Sequence, residues 1–318
     1  MRVLTIGTGW IVDKFIDAWK TLLPQGGLVV YSRDMDKAHN FAKKHNAEGY
    51  GNDFAQLIKD HKIHLVYIAS PNGAHFEQAK FFANHKINLF IEKPLVCKKD
   101  QYQELKSIVK QNNIILFEAY RTKYNPGFQI IEDYLKNKLG KVFQFNISFN
   151  TKSRDWPIKD LNKLPNVFNK NLDGGTIYSI GIYCFEFLYQ LFGEPEKIEK
   201  FTYNLKGVDI YGSYIIQFSN DLIGSVNMSK TQDNVLQNEI IGEKGILLID
   251  SISEVRKVWF IDHKKRSKTL IFDYQSDAKY KNDLCYELVR YLDIKWSNIK
   301  WEDEIKSFES FIKFHTKI

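Results

Sequence analysis

The stretch Val3-Leu4-Thr5-Ile6-Gly7-Thr8-Gly9-Trp10 decides the fold, because a run of apolar, strand-forming residues leads directly into a glycine turn. The following residues, from 11 to about 20, are predicted to form a helix. Two glycines let the backbone approach a pyrophosphate, to which the helix presents N–H groups and the positive end of its dipole. The third glycine position of the motif holds Val12, so a strand–turn–helix with two incidental glycines is the alternative. The phosphate-binding residues predicted by this pattern are Gly7, Thr8, Gly9, Trp10 and Ile11.

A second strand, predicted over residues 28–31, ends in Ser32-Arg33-Asp34, where a dinucleotide-binding domain recognises the ribose. An acid at this point hydrogen-bonds the ribose 2′-OH of NAD, whereas Ser32 and Arg33 suit a 2′-phosphate. Arg33 can also stack on the adenine. Asp34 leaves NAD(H) possible, because a one-residue change in loop path would bring it to the ribose. The segment therefore favours NADP(H), and a solvated turn is its other interpretation.

Length, charge and cysteine content indicate a two-domain enzyme of a reducing cytoplasm. The chain has 318 residues, long for one core, and a net charge of +7 spread without a basic block. Such a diffuse excess favours small anionic ligands weakly and argues little for nucleic acid, so no nucleic-acid partner is expected. The first apolar run of the chain is the strand that leads into the predicted cofactor-binding turn. No apolar run has nearly the length that spans a membrane, so no membrane partner is expected. The chain has three scattered cysteines, Cys97, Cys184 and Cys285. They are not spaced as metal ligands, and their odd number does not suit a set of disulfides, so we expect no metal.

Predicted strands and helices alternate up to about residue 120. This order is typical of a parallel sheet with right-handed crossovers and a ligand at the carboxyl ends of the strands. The predicted strands are 3–6, 28–31, 65–69, 88–91 and 114–117, and the predicted helices are 11–20, 36–45, 54–61, 74–85 and 100–111.

The pattern changes after residue 120, and we place the domain boundary there, giving domains 1–120 and 121–318. A helix is predicted over 124–139, followed by a strand over 142–150 whose Phe143, Phe145, Ile147 and Phe149 share one face. Consecutive alternating strands with short turns indicate an antiparallel sheet that helices cover on one side. The later predicted strands are 211–218, 222–228, 246–250, 255–261 and 269–272.

Polar groups follow three of the predicted parallel strands, on the rim where a cofactor would lie. They are Ser70-Pro71-Asn72 with His75, Glu92-Lys93-Pro94, and Glu118-Ala119-Tyr120-Arg121. Lys93, between a buried strand and a proline, is sterically fixed and can supply charge and a donor to a reacting oxygen. An ordinary strand-end lysine is the alternative. His75 either contacts the cofactor or caps and packs its own helix.

In combination, four motifs resemble the glucose–fructose oxidoreductase/inositol dehydrogenase (Gfo/Idh/MocA) family over essentially the whole chain. These motifs are Gly7-x-Gly9, Pro71-Asn72-x-x-His75, Glu92-Lys93-Pro94 and Gly174-Gly175-x-x-x-Ser179-x-Gly181-x-Tyr183. The resemblance implies an α/β protein in which residues 1–120 form an NAD(P)-binding Rossmann domain. Residues 121–318 would form a substrate-binding and oligomerisation domain with a large, mainly antiparallel open sheet. Homodimers or homotetramers are expected by the same resemblance.

The resemblance also implies NAD(P)-dependent hydride transfer at a hydroxyl-bearing carbon of a sugar, cyclitol or related small molecule, with Lys93 in a catalytic or substrate-binding role. It further implies a cis Lys93–Pro94 bond. Where this family usually has an aspartate and a histidine, the chain has Ser179 and Tyr183. Tyrosine at the second position resembles the branch that contains dihydrodiol dehydrogenase. Ser179 lacks the carboxylate that would orient the substrate or the acid/base group.

Tyr183 can still serve as acid/base, because a phenol with a pKa of about 10 ionises more readily beside a cation such as Lys93. Residues 174–191 are predicted to be a loop that continues as a helix, which would place Ser179 and Tyr183 on one face. The alternative for Tyr183 is a core aromatic. Cofactor contacts are also predicted for Ser70, Pro71, Asn72, His75, Glu92 and Lys93, and substrate contacts for Tyr120, Arg121, Trp156, Phe168 and Ser179.

Two other functions remain open on the sequence. A non-catalytic NAD(P)-binding sensor or regulatory protein fits the departures at Ser179 and Val12. An NAD-dependent enzyme that cleaves glycosides by transient oxidation fits the same family resemblance. NADPH consumption with a substrate panel would separate the first from a dehydrogenase, and turnover without net change in NADH would reveal the second.

Overall fold

A computed structural model describes residues 1–233, 235–297 and 299–315 of the chain, which divides into two compact units. The first unit comprises Met1–Ala119 and Asn282–Lys306, and the second comprises Tyr120–Lys281 and the residues from Ser307 onward. The sequence-based domain 121–318 differs from these units at 282–306, a segment that folds with the first unit.

The bounds of the regular elements are as follows. The strands are β1 (Arg2–Ile6), β2 (Gly27–Tyr31), β3 (Gly49–Gly51), β4 (Leu65–Ile68), β5 (Asn88–Glu92), β6 (Leu116–Ala119), β7 (Val142–Asn150), β8 (Lys197–Leu205), β9 (Val208–Gln217), β10 (Ile223–Ser229), β11 (Asn238–Gly242), β12 (Gly245–Ile249), β13 (Lys257–Asp262) and β14 (Ser267–Asp273). The α-helices are α1 (Trp10–Leu22), α2 (Met35–His45), α3 (Phe54–Asp60), α4 (His75–Asn84), α5 (Lys99–Gln111), α6 (Pro126–Asn137), α7 (Ile182–Phe192), α8 (Tyr274–Asp277), α9 (Leu284–Trp296) and α10 (Lys306–His315).

The first unit is built on a parallel sheet of order β3-β2-β1-β4-β5-β6, which confirms the predicted Rossmann architecture. β1 lies at its centre, pairing in parallel with both β2 and β4. The chain reverses its direction of progress across the sheet at β1, and ligands of such sheets bind outside the carboxyl ends of the strands at that point. Gly7, Ser70 and Lys93 all follow strands of this sheet at that edge.

Helix α9 packs on the first unit although it lies near the end of the chain. The Lys14 ammonium is 2.8 Å from Asp283 Oδ1, and the Asn282 side chain donates to the Lys14 carbonyl at 2.8 Å. The Tyr291 ring contacts Phe90 with ring centroids 5.7 Å apart. Buried apolar contact and a half-buried ion pair therefore hold the returning segment against α1 and the sheet.

The second unit carries an eight-stranded sheet of order β14-β13-β12-β11-β7-β10-β9-β8. Its strand pairs are antiparallel except β7 and β10, which run parallel, so the predicted mainly antiparallel sheet is confirmed. Strands β8 and β11 were not predicted from the sequence. β8 is an edge strand with exposed charges at Lys197, Glu199 and Lys200, and it lacks a buried apolar run.

The apolar face of β7 is covered by helix α7. Phe145 and Ile147 are fully buried, and the Phe145 ring lies 6.1 Å from that of Phe192. Phe143, at the start of the strand, is instead 44% exposed. The opposite face of β7 is polar. None of the helices in the described residues is long and apolar enough to cross a membrane.

Candidate active site

The glycine turn after β1 has the geometry that a pyrophosphate needs. Gly7 has φ +115°, and a Cβ there would lie 2.7 Å from the Ala69 carbonyl oxygen, so glycine is required. Gly9 is the N-cap of α1, and a Cβ on it would meet nothing within 4 Å among the described residues. No side chain of the described residues caps the first turn of α1, in which the N–H groups of Val12 and Asp13 donate to the Gly9 carbonyl at 2.9 and 3.3 Å. The N–H groups before them, at the start of the helix, are the ones that such a turn offers to an anion. These residues fit a nicotinamide dinucleotide.

Val12, at the third glycine position of the motif, is a core residue. It is fully buried, and its side chain lies 3.4 Å from where a Gly7 Cβ would stand. The substitution therefore affects packing between helix and sheet and leaves the phosphate-facing turn unchanged.

At the end of β2, Arg33 and Asp34 differ in what they contact. The Asp34 carboxylate caps α2 by accepting the Lys37 N–H at 3.1 Å, and the Asp34 N–H donates to Ser32 Oγ at 3.3 Å. Arg33 is exposed and makes no hydrogen bond or ion pair with the described residues. The acid is thus used by its own helix, whereas the guanidinium is available to an anion.

His75 joins two of the strand-end segments that were predicted to line the cofactor. Its ring is 1% exposed, with Nδ1 2.8 Å from the Pro94 carbonyl oxygen and Nε2 2.9 Å from that of Ser70. Burial lowers the pKa of His75, and the Lys93 charge lowers it further. Of the two predicted roles, packing rather than direct cofactor contact matches this geometry.

Lys93 follows β5 on a segment that is held from several sides. The Lys93–Pro94 bond is cis, which confirms that expectation. Glu92 Oε1 accepts the Tyr67 hydroxyl at 2.7 Å, and Glu118 Oε1 accepts the Leu95 N–H at 3.1 Å. Glu118 is 4% exposed, and the sequence had marked it only as a polar residue at a strand end. Together with His75, these contacts fix the backbone on both sides of Lys93.

In the second unit, the two glycines of the Gly174-Gly175 segment are required by close contacts. A Cβ on Gly174 would lie 2.7 Å from the Asn166 carbonyl oxygen, and one on Gly175, with φ +140°, would overlap Asp209 Oδ1. The other carboxylate oxygen of Asp209 accepts the Ile177 N–H at 2.8 Å. Burial raises the pKa of Asp209 to about 6. Sequence reasoning missed Asp209, because only the fold brings it to this turn.

The helix that carries Ser179 and Tyr183 starts with an irregular turn. Residues Ile177–Gly181 are π-helical, and the α-helix α7 begins at Ile182. Ser179 lies in this π-helical turn and Tyr183 in the first turn of α7. Four residues are close to one turn in a helix of either kind, so the shared face of Ser179 and Tyr183 stays a prediction. Such π-helical turns often occur at functional sites.

Tyr183 is 7% exposed and packs among aromatic and charged groups of the second unit. The Tyr120 hydroxyl donates to the Tyr183 carbonyl at 3.1 Å, and the Phe149 ring centroid is 5.7 Å from that of Tyr183. The Arg121 guanidinium carbon lies 5.8 Å from the centre of the Tyr183 ring. Cations also lie over the buried rings of Tyr102 and Tyr274, so this contact does not separate Tyr183 from a core aromatic, and its catalytic role stays a prediction.

The remaining predicted substrate contacts have different surroundings. Phe168 is 1% exposed and packs with Val208, Ile210 and the half-buried Trp156, so it lies in the core of the second unit. Tyr120 is 2% exposed and serves as a packing partner of Tyr183.

Comparison with known proteins places both halves of the chain in one group. A model described as an oxidoreductase family with an NAD-binding Rossmann fold, Gfo/Idh/MocA, matches residues 1–120. The Gfo/Idh/MocA C-terminal domain matches residues 130–248. Among solved structures, levoglucosan dehydrogenase in complex with NADH and levoglucosan superposes with a TM-score of 0.82 at 18% identity, covering 100% of this chain and 97% of its own. At that identity the similarity shows the fold alone.

Three relatives cover most of the chain. The uncharacterized oxidoreductase YgjR of Escherichia coli (strain K12) is 32% identical, covering 90% of this chain and 86% of YgjR. The scyllo-inositol 2-dehydrogenase (NADP(+)) IolU of Bacillus subtilis (strain 168) is 31% identical, covering 97% of this chain and 92% of IolU. The trans-1,2-dihydrobenzene-1,2-diol dehydrogenase of Xenopus tropicalis is 30% identical, covering 76% of this chain and 73% of that enzyme.

Proposed function

This chain belongs to the Gfo/Idh/MocA oxidoreductase family, and we propose that it is an NADP(H)-preferring dehydrogenase of a cyclitol or a related polyhydroxy compound. The observation that carries this proposal is the uncapped N-terminus of α1 at the Gly7–Gly9 turn, which suits a dinucleotide pyrophosphate. The similarity to IolU, over nearly the whole of both chains, supports a cyclitol as the substrate class.

The NADP(H) preference is supported by the turn after β2. Arg33 is available to a 2′-phosphate, and the Ser32 hydroxyl lies beside it, while Asp34 is engaged as the cap of α2. A phosphate that meets a guanidinium gains charge-assisted hydrogen bonds that a ribose hydroxyl cannot form. When bound, the nicotinamide cofactor supplies the hydride acceptor or donor.

We assign the remaining chemistry to Lys93 and Tyr183. The Lys93 ammonium, on a segment fixed by His75 and Glu118, polarises the substrate oxygen by charge and hydrogen bonding. The phenolic oxygen of Tyr183 takes the hydroxyl proton during oxidation and returns it during reduction. Ser179 offers a hydroxyl for orienting the substrate in place of the carboxylate that the family usually has.

Steady-state turnover of a cyclitol and sugar panel with NADP⁺ and with NAD⁺ tests this function. We expect formation of NADPH with scyllo-inositol or another cyclitol, and a higher kcat/KM with NADP⁺ than with NAD⁺. Binding of NADPH without turnover of any panel member would instead favour a sensor or regulatory protein. Product formation without net change in the reduced cofactor would favour cleavage by transient oxidation.

We further propose that the protein is a homo-oligomer, a dimer or a tetramer, assembled through the face of the second sheet that α7 leaves open. This face carries exposed apolar side chains at Phe201, Tyr211, Ile215 and Ile223. The same face carries a polar row on the neighbouring strands, in which Asn146 donates to Glu239 at 2.7 Å and accepts from Ser225 at 2.9 Å. Light scattering of the wild type and of Ile215→Lys tests the proposal, since a charge at a buried interface should yield monomers.

A further inference from the structure

A cation lies over the ring of the proposed acid/base residue within the second unit itself. The guanidinium carbon of Arg121 is 5.8 Å from the centre of the Tyr183 ring, and the Arg121 side chain is 11% exposed. A cation over an aromatic face is attracted to its negative potential, more strongly where water is excluded. Ionisation of the phenol adds negative charge to the ring and oxygen, so the same cation stabilises the phenolate more than the phenol.

Arg121 and Arg256 both donate to the Glu254 carboxylate. Arg121 Nη1 donates to Glu254 Oε1 at 2.5 Å, and Arg256 Nη2 donates to Glu254 Oε2 at 2.6 Å. Two guanidinium groups thus share the Glu254 carboxylate, which holds both of them in place. Arg256 is itself held over the Tyr274 ring, 4.4 Å from its centre.

Neighbouring contacts fix the position of Arg121. Its 3₁₀ turn, Arg121–Tyr124, is tied to the loop before β13 by the Thr122 hydroxyl, which donates to the Ile252 carbonyl at 2.9 Å. The preceding residue, Tyr120, donates its hydroxyl to the Tyr183 carbonyl at 3.1 Å. The backbone that carries the cation is therefore bound both to the loop that holds Glu254 and to the helix that holds Tyr183.

We propose that Arg121, set over the Tyr183 ring by Glu254 and Arg256, is the positioning residue that favours the phenolate form of Tyr183. The inference rests on the proposed function, in which Tyr183 transfers the proton. During oxidation the substrate O–H bond breaks and its proton passes to the phenolate oxygen. Hydride leaves the carbon that bears this hydroxyl oxygen and passes to NADP⁺. The products are a carbonyl compound, NADPH and protonated Tyr183. Arg121 makes this phenolate available at lower pH.

Four other titratable groups of the neighbouring elements carry no positive charge. Burial raises the pKa of the Tyr120 hydroxyl and of the Cys184 thiol, so both are neutral near pH 7. Glu186, one turn along α7, accepts the Ser307 hydroxyl at 2.7 Å, and a carboxylate there opposes the phenolate. In the loop of Glu254, burial raises the pKa of Asp250, whose carboxyl accepts the backbone N–H groups of Ser251 and Arg256.

The pH dependence of kcat/KM for oxidation tests the proposal with two opposite charge changes. Arg121→Gln should move the acidic limb to higher pH by about one unit, whereas Arg121→Lys, which keeps the charge, should stay near the wild type. Glu254→Gln should move the limb to lower pH, because it removes the shared negative charge. Lys136→Gln, which removes a charge from the exposed end of α6, is the matched control and should leave the profile unchanged.

A purely structural role predicts a different result. If Arg121→Gln and Glu254→Gln both lower kcat/KM without moving the limb, or move it in the same direction, the proposal is overturned. Should Arg121→Gln fail to fold, the double variant Arg121→Gln/Glu254→Gln removes both charges together. In this double variant the ¹³Cζ resonance of Tyr183, which the Tyr183→Phe variant assigns, must titrate at a higher pH than it does in Glu254→Gln. A titration at the same or a lower pH overturns the proposal.

Tyr183→Phe separates this inference from the proposed function. If it retains wild-type turnover, Tyr183 is not the acid/base residue, and both statements fail. If it abolishes turnover while the Arg121 and Glu254 variants leave the limb in place, only the role of Arg121 fails.

Discussion

At the residue scale, Arg33 and Asp34 lead to a prediction about cofactor choice. Because Arg33 is available to an anion, Arg33→Ala should weaken NADPH binding by about ten- to a hundredfold, the effect of one charge-assisted contact. NADH binding should change little, because NADH has no 2′-phosphate. Fluorescence titration of both reduced cofactors measures the two dissociation constants.

Asp34→Asn is the control for this measurement, since an amide oxygen still caps α2 and accepts the Lys37 N–H. It should leave the affinities for both cofactors nearly unchanged. Equal losses of NADPH and NADH in Arg33→Ala would instead show that Arg33 only stacks on the adenine. A loss of NADH binding in Asp34→Asn would move ribose recognition to Asp34.

Also at the residue scale, Lys93 and Tyr183 are expected to act as one unit. Tyr183→Phe should lower kcat by about 10²–10⁴ with nearly unchanged NADPH affinity, because proton transfer at the phenolic oxygen is lost. Lys93→Met should lower kcat to a similar extent. The double variant should be little slower than either single variant, since residues of one catalytic unit are not additive. Losses that multiply in the double variant would assign the two residues to separate roles.

Residues whose roles depend on local sequence were predictable, and those whose roles depend on distant partners were not. Lys93 could be found because a buried strand and a proline flank it directly. Glu118, Asp209 and Glu254 could not, because each carboxylate meets its partner only after folding. The Arg121–Glu254 pair spans 133 positions, and no periodicity in the sequence records such a distance.

At the scale of elements, the predictable ones are those with a buried apolar run between clear turns. Strands β1, β4 and β5 are buried throughout or nearly so, and all were predicted. The three-residue strand β3 contains two glycines and has too few residues to show alternation. The π-turn Ile177–Gly181 was missed because its sequence, Ile-Tyr-Ser-Ile-Gly, has no feature that distinguishes it from an ordinary helical turn.

The element-scale prediction concerns the turn that starts this helix. Gly175→Ala should destabilise the second unit by about 2–4 kcal/mol, because it combines a left-handed φ with overlap of Asp209 Oδ1. Gly193→Ala is the control, since Gly193 also has positive φ, +78°, but a Cβ there meets nothing within 4 Å. It should cost about 1–3 kcal/mol for the backbone conformation alone.

Urea denaturation of the two glycine variants, followed by circular dichroism, gives the comparison. Both variants carry the cost of a positive φ, and only Gly175→Ala also overlaps Asp209. The difference between their unfolding free energies therefore measures the cost of that overlap. Equal losses in Gly175→Ala and Gly193→Ala would mean that Asp209 moves aside without cost, and that it does not hold the start of the helix.

At the scale of the whole molecule, the return of the chain to the first unit was outside the reach of sequence reasoning. The pattern of α9 shows which of its faces is apolar but not which sheet that face will cover. The ion pair of Lys14 with Asp283 joins positions 269 residues apart, and it fixes the choice only once both segments are folded. A domain boundary taken from a change in the sequence pattern therefore locates the point near residue 120 where the chain leaves the first unit. It misses the return of the chain to that unit at Asn282.

The last prediction concerns the pH dependence of the stability of the whole molecule, to which Asp209 contributes with an unusual sign. Its pKa is raised by burial to about 6 in the folded chain from an ordinary value of 3.8. Between these values the folded state holds a proton that the unfolded state has lost. Stability must therefore fall as pH rises through this window, by up to about 3 kcal/mol.

In Asp209→Asn that dependence should disappear, since an amide keeps an acceptor for the Ile177 N–H and has no charge to desolvate. Measured by urea denaturation, the unfolding free energy of the variant relative to wild type should rise from pH 4.5 to pH 7. Asp262→Asn is the control, because backbone N–H donors, first that of Lys265, lower the pKa of Asp262 and place its titration below this window. A constant difference between Asp209→Asn and wild type would show that Asp209 ionises in the folded chain as it does in water. The carboxylate would then hold the Ile177 N–H as a solvated cap rather than as a buried anchor of the helix that bears Tyr183.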